Sequence, residues 1–105
     1  MATDGDILAS LRPSYLARLE ARVSHLCTFA EALGNGALQP MQQDELHRTA
    51  HSMASSAAIF GHSGLSAAAR AAEQIFEQSE IGLAEQRVSL FRLLSEAERV
   101  LASHS

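Results

Sequence analysis

The stretch Asp44-Glu45-Leu46-His47-Arg48-Thr49-Ala50-His51-Ser52-Met53-Ala54-Ser55-Ser56-Ala57-Ala58-Ile59-Phe60-Gly61 decides the architecture. Its apolar residues Leu46, Ala50, Met53, Ala57 and Phe60 recur at steps of three and four, the repeat that gathers side chains on one face of an α-helix. Asp44 and Glu45 stand toward the positive end of the helix dipole, and Gly61 supplies the stop. The helix opens near Pro40, and the expected span is about 41–60. Nothing in this stretch alternates apolar with polar at the period of a strand.

Three more helices follow from the same logic on either side. Upstream, Leu16, Leu19, Val23, Leu26, Ala30 and Leu33 form one apolar stripe. Pro13 suits a first helical position and Gly34 or Gly36 an end, so a helix over about 13–33 is predicted. Downstream, Ser63 is the expected cap of a helix over about 63–79, with Leu65, Ala68 or Ala69, Ala72, and Ile75 or Phe76 inward. After Gly82 a helix over about 84–102 presents Leu90, Leu94, Ala97 and Leu101, with Val88 and Phe91 broadening the stripe. Helices this short are unstable alone in water, and short connections make neighbours antiparallel. The predicted fold is all-α, one up-down-up-down four-helix bundle spanning 1–105.

Composition agrees. The 105 residues are rich in Ala and Leu and contain no Trp, one Tyr and four Phe, which favours close helix packing over a β-sandwich. The net charge of −4, with arginines scattered among acids, argues against binding nucleic acid through its phosphates. Cys27 is the single cysteine, so no intramolecular disulfide forms; it is expected as a small core residue in a reduced, cytoplasmic setting. The N-terminal residues are acidic where a secretory signal is basic, and no apolar run reaches the roughly 20 residues that span a bilayer. A soluble chain without a membrane anchor is expected. The four stripes satisfy one another, so a monomer is expected over a self-associating structural bundle.

The second helix carries residues out of place for a plain core. His47 and His51 lie four apart on one face, continued by Ser55 and Ala58, with Ala54 beside them. That line is offset by one residue from Ala50, Met53 and Ala57, which puts His51 at the core's edge, supported and reachable. The stretch from Ala50 to Gly61 resembles the signature of histidine phosphotransfer domains, H-x-L-K-G-S-A-x-x-F-G: Met53 stands for Leu, and Ser56, Ala57, Phe60 and Gly61 match in register. The likeness continues through Leu65, Ala69, Arg70, Ala72 and Glu73, which track the family's L-x-x-x-C-R-x-L-E. Ala54 replaces the usual Lys, and Ser55 the usual Gly.

This resemblance implies a phosphoryl carrier and co-substrate, not an autonomous enzyme. His51 would accept and donate the phosphoryl group in a two-component phosphorelay, with Arg48, Ser55 and Ser52 supporting it. His47, Ala54 and Ala58 would meet the docked partner. The implied partners are receiver domains of response regulators or of hybrid sensor histidine kinases. No cofactor of its own is implied; Mg²⁺ would come with the receiver. The alternative is a docking module that binds a receiver or kinase without transfer. His25, His62 and His104 are read as structural or surface residues, Arg70 as a surface side chain or an ion-pair partner, and Glu73, Glu77 and Glu80 as a solvated face. His47 and His51 alone make a poor metal site, so none is expected. No spacing argues for a Ser-His-Asp triad or paired catalytic carboxylates.

Overall fold

The computed structural model describes residues 3–78 and 82–104. The helices are α1 (Asp4–Gly34), α2 (Pro40–Ile59), α3 (Ser63–Glu77) and α4 (Leu83–Ser103), and no strand occurs among the described residues. Each helix packs against its neighbour in sequence, and α1 closes the ring on α4. Contacts at the two ends fix the directions. At one end Arg87 Nε at the start of α4 donates to the Leu33 carbonyl at the end of α1, 2.8 Å, and Gln43 Nε2 of α2 donates to the Phe76 carbonyl of α3, 3.3 Å. At the other, Tyr15 of α1 stacks on Phe60 after α2, ring centroids 4.2 Å apart, while His62 before α3 meets His104 after α4. The bundle is therefore up-down-up-down, as the short connections require.

The expected start of α1 needs correction. The helix begins nine residues before Pro13, at a capping box in which Thr3 Oγ1 accepts from the Asp6 N–H and Asp6 Oδ2 accepts from the Thr3 N–H, both 3.2 Å. Pro13 sits inside the helix, on a segment running past the end of α2, where Ala9 and Pro13 are exposed and the carbonyl that lacks a donor faces water. At 31 residues α1 is about 46 Å long at 1.5 Å per residue, close to the whole molecule's 51 Å.

The turn after α2 agrees with the sequence reading. Gly61 adopts φ +79°, the His62 N–H reaches the Ala57 carbonyl at 2.8 Å, and the Gly61 N–H reaches Ala58 at 3.2 Å, which together close a Schellman stop. Ser63 is already helical; the N-cap position belongs to His62, whose side chain makes no cap. The expected end of α3 at Ser79, with Glu80, lies outside the described residues; α3 ends at Glu77.

Leu19, Leu26 and Leu33 of α1 and Leu46, Ala50, Met53 and Ala57 of α2 are buried as expected, together with Tyr15 and Phe29, which the stripe omitted. In α4 the buried face is rotated from the expected stripe: Leu90, Leu93, Ala97 and Val100 are inside, while Leu94 and Leu101 are half-buried. Val88 and Phe91 do not extend the core. Phe91 is 72% exposed, because it lies beyond the arc that α1 and α3 cover. Cys27 is exposed, one position round the helix from buried Leu26. In α3 the buried Ser66, Ala68, Ala69 and Ala72 present a low surface that admits α2 closely.

Candidate functional site

The α2–α3 hairpin folds back at Gly61-His62, so residues at similar distances from that turn meet across the seam. His51 and Glu73 are such a pair. His51, next to buried Ala50, keeps its side chain 67% exposed; Glu73 is 24% exposed and places Oε1 2.7 Å from His51 Nδ1. The same Oε1 lies 4.0 Å from Nε2 of half-buried His47. An ionised carboxylate only accepts, so the proton of a neutral His51 sits on Nδ1 and the lone pair on Nε2. Nε2 has no hydrogen-bond partner among the described residues. The outcome is an oriented imidazole with an unengaged nucleophilic nitrogen on an open helix face.

Glu73 is thus not part of a solvated face; it holds the histidine. Its signal lay in the register of the hairpin, not in its own helix. Both histidines address one Oε1, and no group of three or more His, Cys, Asp or Glu among the described residues is arranged to hold a metal ion.

The other expected site residues separate into distinct surroundings. Ser55 is exposed, and its Oγ donates to the His51 carbonyl at 3.3 Å, so the hydroxyl is folded into its own helix. Ser52 faces α1, where its Oγ accepts from Arg22 Nη2 at 2.6 Å. Sequence reasoning missed Arg22, since a pair 30 residues apart leaves no local trace. Arg48 is exposed and pairs with Asp44 Oδ2 at 3.5 Å, one turn earlier. Ala58 is exposed and, with Ser66 and Arg70, borders a depression of about 420 Å³ on the α2–α3 seam.

Ala54 cannot meet a docked partner. It is 4% exposed, lies under α3, and its carbonyl accepts from Ser66 Oγ at 3.0 Å. The small side chains of α3 bring that helix close enough to cover it.

The remaining histidines have structural surroundings. His25 pairs with Glu45 Oε1 at 2.9 Å and packs edge-on against Phe29. His62, at the end remote from Arg87, shares a hydrogen bond with Tyr15 Oη at 3.0 Å through Nδ1. Burial pushes its pKa below the usual value, and His104 and Arg12 act in the same direction.

No curated protein and no solved structure matches the chain significantly. The Hpt domain family matches residues 10–103, nearly the full length, and His51 stands within that span on the second helix of a four-helix bundle. The chain belongs to the Hpt domain family.

Proposed function

We propose that His51 Nε2 takes a phosphoryl group from the aspartyl phosphate of one receiver domain and passes it to the aspartate of another. Membership of the Hpt domain family places the chain in histidine phosphotransfer within two-component signalling. The relay between two receivers rests on one observation: Glu73 Oε1 holds His51 Nδ1 at 2.7 Å while Nε2 stays unengaged on an exposed ring.

In the forward step the Nε2 lone pair forms the N–P bond, the aspartyl O–P bond breaks, and the carboxylate leaves with the electron pair. The ring then carries a positive charge with its proton still on Nδ1, facing the Glu73 carboxylate. No proton has to move. In the return step a second aspartate oxygen forms the new O–P bond and the pair of the N–P bond goes back to Nε2. The chain acts as carrier and co-substrate; Mg²⁺ would come with the receiver, where it would screen the phosphoryl oxygens. Of the expected supporting groups, Arg48 retains the freest approach to the phosphoryl group, its pair with Asp44 being an exposed one-turn contact. His47 and Ala58 lie on either side of His51 along the seam that the receiver would cover.

We place the carrier in the cytoplasm as a monomer. Among the described residues no helix is long and apolar enough to cross a membrane, and sedimentation at several concentrations tests the oligomeric state.

Incubation with a panel of phosphorylated receiver domains tests the reading. Acid-labile, base-stable label on the wild type and none on His51→Gln is expected. Binding without label on the wild type would establish a docking module in place of a carrier.

A further inference from the structure

Beside His51, on the α1 side of α2, lies a concave surface with a cavity of about 520 Å³, lined by Arg18, Arg22, His25, Glu45, Arg48 and Ser52 among others. His25 and Glu45 satisfy each other at 2.9 Å, and Arg48 makes its exposed pair with Asp44. Arg22 spends one N–H on Ser52 and has no carboxylate partner among the described residues; Arg18 has neither hydrogen bond nor ion pair there. Burial, and then the neighbouring Arg18 charge, lowers the Arg22 pKa from its usual value. Three guanidiniums and one carboxylate, Glu45, thus line this surface, with Asp44 beside it on Arg48, in a chain whose net charge is −4. Folding has gathered positive charge onto one face of an acidic protein.

We propose that Arg18 and Arg22 on α1, with Arg48 on α2, form the docking face for carboxylate side chains that a phosphoryl-donating receiver presents around its aspartyl phosphate. This rests on the reading of His51 as the acceptor. The receiver's aspartyl phosphate brings negative charge to His51, and carboxylates on the receiver outside its metal site would extend that charge toward Arg18 and Arg22. Ser52 is the residue after His51, and its bond to Arg22 holds a guanidinium there with four N–H donors unspent. Such a surface steers encounter and sets orientation more than it changes the chemistry. Arg18 and Arg22 are accordingly positioning residues.

The test compares wild type, Arg18→Gln/Arg22→Gln and Arg18→Glu/Arg22→Glu with two donors: the phosphorylated receiver that labels the wild type, and potassium phosphoramidate, which is too small to use a docking face. The glutamate variant is expected to lose about tenfold or more in kcat/KM with the receiver, mostly through KM, with a gap that narrows as salt rises. The glutamine variant should fall between it and wild type. Phosphoramidate labelling should be unchanged for both, which also reports an intact His51. Receiver-dependent labelling equal to wild type would overturn the inference, as would an equal loss with phosphoramidate. If no receiver labels the wild type, the carrier reading itself fails, and the docking face with it.

Discussion

Replacing Glu73 by Gln keeps the shape of the residue facing His51 and removes its charge. The contact at risk is a 2.7 Å hydrogen bond between a carboxylate and an imidazole that is 67% exposed. Hydrogen bonds to a charged group contribute about 1.5–3 kcal/mol when sheltered, and competition from water reduces that to about 1 kcal/mol here. If His51 is phosphorylated, the ring becomes cationic and the contact strengthens, so its loss falls on the transition state, and about 1 kcal/mol corresponds to a roughly fivefold slower transfer. A Gln amide offers both a donor and an acceptor, so it no longer dictates which ring nitrogen carries the proton. Time-resolved labelling by phosphoramidate and by a receiver, with ¹⁵N spectra of the histidine ring, measures both effects. Labelling at the wild-type rate together with an unchanged preference for the proton on Nδ1 would refute the assigned role of Glu73.

Three further outcomes follow from the packing. Ala54→Lys, which restores the family's usual residue, forces a long side chain under α3 at a position 4% exposed, and should cost about 1–3 kcal/mol in urea unfolding; an unchanged midpoint would mean that α3 yields there. Gly61→Ala places a side chain at φ +79° with nothing within 4 Å of the new Cβ, so its cost is purely backbone, about 1–2 kcal/mol by the same measurement. His62 has its pKa lowered by burial, then by His104 and Arg12, so the neutral ring is the folded form. Its contribution is complete above the unfolded value of 6.5 and is lost as pH falls through the lower folded value. His62→Gln should therefore flatten the decline in melting temperature between neutral pH and about pH 5; an equally steep decline would place the acid sensitivity in another group.

The sequence exposes the second helix most fully because its signals are local. Leu46, Ala50, Met53 and Ala57 repeat at helical spacing, and Gly61 closes the helix where a glycine is needed. The start of α1 was hidden by Pro13, which resembles a first-turn proline; the true start is signalled by Thr3 and Asp6 three residues apart, with Asp in the place where Glu is usual. The rotation of α4 that buries Leu93 and exposes Phe91 comes from having to face α1 and α3 together, and periodicity within one helix does not contain that information. The surroundings of His51 divide in the same way. Its exposed place was legible as a polar residue one step off a buried stripe, whereas Glu73 reaches it only across the α2–α3 boundary and Arg22 meets Ser52 only across the α1–α2 boundary. Ala54 belonged to the core for the same reason: only the approach of α3 covers it.

Phosphorylating the chain with a receiver and recording ³¹P and ¹⁵N spectra of the product locates the N–P bond directly. The expected product is a single phosphohistidine at position 51, bonded through Nε2, with the proton retained on Nδ1. A phosphoryl group on Nδ1, on His47, or on any residue of His51→Gln would contradict it.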